Sequence, residues 1–294
     1  MLLLTVFTPT YNRKHTLSLG YNALKRQTNK NFVWLIIDDG STDGTESLVR
    51  AWQSEDTGFE IQYIYKPNGG LHTAYNVAIE NIKTELCVCI DSDDYMPDDA
   101  VDKILNYWEK NHSENIAGFI GRDYYPDGRL IGDPFPNVEV VHIVELVDKY
   151  KYKGDTKMVL RTKLLKEVAP QPTYNGEKNF NPIYLMILID YKYPFKLMNE
   201  NLCFVEYAET GMSNNIFKQY VNSPNSFAAL RIANIKSPHA SFRFKLKNYI
   251  HLGSSILLAK NSHLFKQVPN KLFLILCLPL SGLLTLYIIK KAGI

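Results

Sequence analysis

The sequence predicts an α/β fold with a mostly parallel sheet, followed by a helical, basic and apolar tail. Three observations predict it. Apolar runs alternate with amphipathic segments four times in about the first hundred residues. Turns rich in Asp and Asn close most of those runs. No Asp or Glu follows Glu209, whereas 11 Lys and Arg lie between Thr210 and Ile294.

The elements follow in order. Leu2–Phe7 is a short apolar run closed by Thr8-Pro9-Thr10, which reads as a strand and its turn. A strand is also the better reading of this start than a secretion signal, since it lacks a basic n-region and a long apolar core. Lys14–Gln27 has helical spacing at Leu17, Tyr21 and Leu24. Phe32–Ile37 is the second run, closed by Asp38-Asp39-Gly40-Ser41, and Asp43 with Glu46 predicts a capped helix start. Ile61–Tyr65 is the third strand, with Pro67-Asn68-Gly69-Gly70 as its turn and a helix over Thr73–Ile82. Leu86–Ile90 is the fourth strand; it ends at Asp91-Ser92-Asp93-Asp94, and Pro97-Asp98-Asp99 opens a helix with acids at the positive end of its dipole. Strand–helix alternation of this kind implies parallel strands with right-handed crossovers, and ligands bind such sheets beyond the strands' carboxyl ends.

Beyond Phe119 the pattern loosens. Gly121–Pro136, rich in Gly, Pro, Asp and Tyr, predicts a loop or hairpin; Lys163–Val168 and Tyr184–Asp190 predict helices, Pro170–Pro182 irregular chain and Leu197–Glu206 an extended run. Val221–Leu258 reads as one or two basic helices broken at Ser237-Pro238. Leu272–Ile289 is uncharged, flanked by Lys271 and by Lys290-Lys291, and is expected to be interrupted at Pro279 and Gly282; it could span a membrane at the short end of the range, form a re-entrant or interfacial hairpin, or pack as a buried C-terminal hairpin.

At 46% hydrophobic and 21% charged residues, the 294-residue chain has the make-up of an ordered globular protein rather than a disordered one. The net charge of +3 hides a split: the tail carries all its charge as Lys and Arg, and the remainder is net acidic. The tail therefore suits an anionic surface. Cys87, Cys89, Cys203 and Cys277 are scattered, and Cys87 and Cys89 fall on one face of one strand, so a reducing compartment is expected. No Cys/His set has zinc spacing.

Four turns carry candidate chemistry. Asp91 and Asp93, two apart at a strand end, can face one divalent cation and leave positions open for diphosphate oxygens, because Mg²⁺ and Mn²⁺ favour oxygen ligands. The bland alternative is an acidic helix entry. In Asp38–Asp43 a carboxylate at the sheet edge can accept a base N–H; Asp43 reads as a cap and Asp39 as functional. In Thr8-Pro9-Thr10-Tyr11-Asn12, Pro stiffens the loop and Tyr11 can stack on a base, although Thr10 or Asn12 can equally cap the next helix. Asn68-Gly69-Gly70 permits close approach of backbone to ligand, or is a tight turn.

In order and spacing, Thr8-Pro-Thr-Tyr-Asn, Ile37-Asp-Asp-Gly-Ser-Thr-Asp, Asn68-Gly-Gly and Asp91-Ser-Asp-Asp together resemble family 2 glycosyltransferases of the GT-A fold, a Rossmann-like sheet with flanking helices. The resemblance covers about the first 110 residues. It implies an inverting transfer from a nucleotide sugar, usually UDP-linked, with Mn²⁺ or Mg²⁺. It places Thr8, Tyr11 and Asp39 at the nucleobase, and Asp91 and Asp93 on the ribose side and the metal, with Asp93 the direct ligand; Pro9, Asn12, Asn68, Gly69, Gly70 and Ser92 complete the donor site. Residues 1–215 would then be the catalytic domain, divided into a nucleotide-sugar half (1–115) and an acceptor half (116–215), and 216–294 a helical region that meets the membrane.

Inversion needs a carboxylate to take the acceptor's proton. Family members often place an acid just after a Pro in the second half; here Pro182 is followed by Ile183, so Glu177 and then Asp190 are the substitutes. His72, beside the glycine turn, is read as a surface residue at a helix start that could alternatively touch diphosphate. Tyr207–Ser213 resembles the family's segment that closes over the donor. The tail's charge would draw it to an anionic leaflet, making the chain peripheral on the cytoplasmic face of the cell membrane. There it would act on a glycan or polyprenyl-linked acceptor of cell-surface polysaccharide synthesis. No nucleic-acid-binding motif accompanies the charge. Two rivals remain: a nucleotidyltransferase, opposed by the absence of glycine from Thr8–Arg13, and a non-catalytic nucleotide-sugar-binding or scaffolding subunit, which the missing acid at Ile183 would suit.

Overall fold

The computed structural model describes residues 3–206, 215–259 and 262–293. The first half runs β1 (Leu4–Thr10), α1 (Lys14–Arg26), β2 (Phe32–Asp38), α2 (Thr45–Gln53), β3 (Glu60–Tyr65), α3 (Leu71–Asn81), β4 (Leu86–Cys89) and α4 (Ala100–Asn111). The second half runs β5 (Gly118–Tyr124), β6 (Val140–Val141), α5 (Ile143–Asp148), β7 (Thr156–Arg161), α6 (Thr162–Val168), α7 (Ile183–Asp190) and β8 (Phe195–Phe204). The tail holds α8 (Ile216–Asn222), α9 (Pro224–Lys236), α10 (Phe242–Ala259), α11 (Ser262–Lys266) and α12 (Lys271–Ala292).

One eight-stranded sheet is ordered β3-β2-β1-β4-β7-β5-β8-β6. The first four strands pair in parallel, as the alternation predicts. β7 runs antiparallel to both β4 and β5, and β6 antiparallel to β8, while β5 and β8 are parallel. The reversal at β7 brings the start of β7 and the end of β5 to the edge where β1, β2 and β4 end. Alternation along each strand feeds two cores. Val6, Trp34, Ile36 and Val88 pack with α1, α2 and α4 on one face. Phe7, Leu35, Ile37 and Cys87 pack with α3, α6 and α7 on the other.

Four expectations change. The stretch from Gly121 does turn back at Tyr124 and Leu130, but Gly121 itself lies inside β5, where a side chain would strike Leu202 of β8. The Asp43–Glu46 capping box does not form. Asp43 instead accepts from Thr45 N at 3.1 Å and Lys14 N at 2.9 Å, and Glu46 pairs with Arg50 one turn on. His72 is buried rather than exposed. Finally, α12 is one continuous helix through Pro279 and Gly282. Proline removes one hydrogen bond and clashes with the preceding turn. Here Leu274, Cys277, Ser281 and Ile288, on both sides of it, are buried against the neighbouring helices, and that packing holds the helix together.

The tail docks on the sheet domain through α9, whose Ala229, Leu230 and Ala233 pack with Phe180 and Ile187. Tyr191 Oη donates to the Ala233 carbonyl at 2.6 Å, and Asp148 accepts from Ser241 N at 2.9 Å.

Candidate active site

The four turns singled out by sequence lie together along the carboxyl edge of the parallel strands, tied by main-chain bonds from Asp39 N to Thr10 O, Lys66 N to Asp38 O and Ile90 N to Phe7 O, all 2.9–3.0 Å. Asn12, at φ +52°, clasps the first two turns: its N–H donates to Ser41 Oγ and its side-chain oxygen accepts from Thr42 N, both at 2.8 Å. Pro9 is a buried member of β1. Tyr11 stands half-exposed beside it, with its ring open to solvent. Thr8 is buried, and its hydroxyl accepts from Trp34 Nε1 at 3.0 Å. Thr10 Oγ1, at the strand's end, is buried without a partner.

Asp39 is the hub of the edge. One carboxylate oxygen accepts from Gly69 N at 2.9 Å and from Lys66 Nζ; the other accepts from Gly70 N at 2.7 Å and Asn68 Nδ2 at 3.1 Å. Four bonds occupy the lone pairs of a carboxylate. The Asn68–Gly70 turn is thus pinned to β2, and the acid sits at the positive end of α3. Gly70 is required there: its φ is +95° and a Cβ would strike the Lys178 carbonyl. Asp38, by contrast, faces inward, accepting from Tyr63 Oη at 2.6 Å and Ser41 N at 2.7 Å. His72 begins α3 with Nδ1 buried and unpartnered. Burial first, and Lys66 next, push its pKa down, against the pull of Asp39 and Glu177.

The acidic turn is built differently. Asp91, Ser92 and Asp93 are exposed or half-buried, whereas Asp94 is buried and takes Lys157 Nζ of β7 at 2.8 Å. The same ammonium lies 3.6 Å from Asp123, at the end of β5. Asp123 is fully buried, and both its carboxyl oxygens lack hydrogen-bond partners. Burial pushes it up to about 8 and Asp94 to about 6, with Lys157 opposing in both cases. Asp91 is raised too, by enclosure on its inner side and then by the charges of Asp93 and Asp155, against Lys157. Lys157 and Asp123 were not foreseen. The available signal was a Lys immediately before the apolar stretch Met158–Leu160, but only the antiparallel insertion of β7 shows what it neutralises.

Asp91 and Asp93 suit a hard divalent ion by their chemistry: Mg²⁺ is usually held by one or two carboxylates, with substrate phosphates and water completing its shell. Among the described residues no three His, Cys, Asp or Glu side chains form a ready-made metal cage, so diphosphate would have to supply the remaining ligands.

The two substitute bases have other tasks here. Glu177 accepts from Asn225 N at 2.9 Å, Asn225 Nδ2 at 2.6 Å, Ser226 N at 2.8 Å and Ser226 Oγ at 2.6 Å, which caps α9. Asp190 accepts from Ile143 N at 2.8 Å and Val144 N at 3.3 Å, which caps α5, and lies 3.2 Å from His142 Nδ1. Helix starts leave N–H groups without internal partners, and each acid satisfies two of them. Both carboxylates are therefore committed to helix starts, although Glu177 neighbours Lys178, whose carbonyl abuts Gly70, and its charge is felt at His72. The expected closing segment, Tyr207–Ser213, lies outside the described residues.

The comparisons agree with this arrangement. S. aureus TarS in complex with UDP-GlcNAc superposes with a TM-score of 0.65 at 15% identity, covering 99% of this chain and 92% of that one. The mannosyltransferase PcManGT of Pyrobaculum calidifontis, in complex with GDP-Man and Mn²⁺, gives 0.58 at 17% identity, covering 97% and 87%. At such identities the likeness is one of fold, and it is the GT-A fold. In sequence, the chain is 29% identical over 137 residues to the glycosyltransferase GlyA of Streptococcus pneumoniae, and 29% identical over 133 residues to the chondroitin synthase of Pasteurella multocida. These alignments cover 42% and 45% of this chain but only 19% and 14% of the relatives, so the chain spans less than a fifth of their length. The profile of Glycosyl transferase family 2 matches residues 5–163. That is more than half of the 294 residues and contains all four turns, so the chain belongs to glycosyl transferase family 2.

Proposed function

We propose that this chain transfers a hexose or N-acetylhexosamine from a UDP-sugar to a hydroxyl of a glycan or polyprenyl-linked acceptor, with inversion, in the synthesis of a cell-surface polysaccharide at the cytoplasmic face of the membrane. The observation that carries the reading is the meeting of the Asp91–Asp93 pair, exposed at Asp91 and half-buried at Asp93, with the Thr8–Asn12, Asp39 and Asn68–Gly70 turns on one sheet edge. The UDP-GlcNAc held by TarS supports the donor class, and the Mn²⁺ held by PcManGT supports the metal. Asp93, with Asp91, would hold Mn²⁺ or Mg²⁺. An ion there would neutralise the leaving diphosphate.

The chain's own residues would do the rest. Tyr11 offers a face for the base. Asp39 fixes the Gly69–Gly70 backbone so that it can approach the donor closely. Lys157 keeps the acidic turn in place through Asp94. For the proton of the acceptor hydroxyl we choose Asp155, half-buried at the start of β7 and close enough to Asp91 for its charge to be felt there. Glu177 and Asp190 take that role only if they release the helices they cap. Asp155→Asn should then lower turnover about 10²–10⁴-fold, the usual range for a general base, with UDP binding unchanged; near-normal turnover in that variant would remove Asp155 from the scheme.

The donor reading is checked by the melting temperature with each nucleoside diphosphate, with and without Mn²⁺, since ligands that bind only the native state raise it. A Mn²⁺-dependent rise with UDP is expected, lost in Asp93→Ala along with turnover. No rise with any nucleotide refutes it. The capping of both substitute bases, together with Ile183, favours a second reading, a non-catalytic nucleotide-sugar-binding subunit. Metal-dependent UDP binding without hydrolysis or transfer would establish it.

A further inference from the structure

Helix α12 is apolar all round, with Lys271 before its apolar stretch and Lys290 and Lys291 after it. A helix of that kind belongs either in a protein core or in lipid. Its two faces have different surroundings. Leu274, Cys277, Ser281, Thr285 and Ile288 are buried, while Leu272, Leu276, Leu280, Leu283, Leu286 and Tyr287 are exposed, Leu276 at 69% and Leu283 at 66%. At 100° per residue these two sets fall on opposite sides of the helix. The buried side is committed to α10: Ser281 abuts Gly253 so closely that a Cβ on the glycine would collide, and Thr285 Oγ1 lies 2.9 Å from Ser254 Oγ.

We propose that the exposed face of α12 lies half-sunk in the surface of an anionic bilayer, parallel to the membrane plane, and that α12 does not span it. This deepens the membrane reading above by fixing the partner surface and the mode of contact.

Charge identifies the partner. Eleven Lys and Arg and no acid follow Glu209, which suits an anionic leaflet. A second copy would set one acid-free, basic region against another. Lys271 at one end, and Lys290 and Lys291 at the other, can keep their stems on the apolar surface and their heads at the phosphates.

Length alone would permit a span: 22 residues reach about 33 Å, against about 30 Å of hydrocarbon. Packing opposes it. To cross, α12 must either take α10 along, with Arg243, Lys245, Lys247 and His251 on it, or leave α10 and uncover Gly253, Ser254, Ser281 and Thr285. An in-plane helix keeps its packing and still covers its leucines.

The test is sedimentation of the full chain with phosphatidylcholine vesicles, with and without phosphatidylglycerol. Binding is expected only with the anionic lipid. The double variant Leu276→Glu/Leu283→Glu should weaken it roughly 100-fold or more, while its far-ultraviolet circular dichroism stays unchanged and, where wild type shows a UDP-induced melting shift, that shift persists. Chain recovered in cell membranes should be released by alkaline carbonate. Retention after that wash, equal binding by the double variant, or a leucine-dependent dimer without vesicle binding would each overturn the proposal. The UDP shift is read separately, so loss of lipid binding does not bear on the transfer reaction.

Discussion

Asp123 is a carboxyl group sealed beneath the acidic turn, with one ammonium 3.6 Å away shared with Asp94. Its pKa is raised in the folded state to about 8, whereas an unfolded aspartate titrates near 3.9. Between those values the folded chain holds a proton that the unfolded chain has lost. The stabilising contribution is therefore complete below about pH 4 and is lost as pH rises through about 8. Asp123→Asn removes this dependence: its stability relative to wild type should increase steadily from about pH 4 to about pH 8 and then level off. Urea unfolding at several pH values measures the difference, and a pH-independent gap would mean that Asp123 is ionised in the fold. The sequence shows Asp123 only as one acid in a Tyr- and Gly-rich stretch; its environment is created by β7 inserting between β4 and β5.

At the scale of elements, the capping acids are the informative case. Glu177 sits in an irregular segment 47 residues before the helix it caps, α9, which starts at Pro224. No local pattern in sequence connects them. Because all four of its bonds go to Asn225 and Ser226, Glu177→Gln should act on stability: about 1–2 kcal/mol is expected from weakening a buried, charge-assisted cap, with turnover per folded molecule changed little. Thermal unfolding and an active-site-normalised rate separate the two effects. A variant of full stability and no turnover would restore Glu177 as the base. The strands β1, β2, β3 and β4 and their Asp-rich turns were legible because each is a local pattern of apolar run and turn residues. β5 and β7 were harder: glycine at 118 and 121 and lysine at 157 break the apolar pattern, for reasons of packing and charge that lie on other strands.

For the molecule as a whole, the expected division at residue 215 does not divide the packing. Cutting there would strip Glu177 of its bonds to Asn225 and Ser226, and would expose Phe180 and Ile187, which now pack on Ala229 and Leu230. A chain of residues 1–215 should therefore melt well below the full chain and expose apolar surface. Removing only 271–294 should leave the sheet domain's nucleotide response in place, because α12 packs mainly on α10 and α8. Calorimetry of both truncations, read beside the UDP shift, checks this; a 1–215 chain as stable as the whole would show that the tail is a separate unit.

The sequence by itself determined the parallel half of the sheet, the four loops at its carboxyl edge, the Asp91–Asp93 pair and the basic, apolar character of the tail. All of these are written as local periodicity, turn chemistry or composition. Only the tertiary structure decided that Asp39 anchors the Gly69–Gly70 turn, that Lys157 and Asp123 stand behind the acidic turn, that Glu177 and Asp190 cap distant helices, and that α12 continues through Pro279 with one face covered and one bare. Each depends on what a residue far along the chain places beside it. A carboxylate's role follows from which donors reach its lone pairs and how much water it keeps, and neither is fixed until the chain has folded.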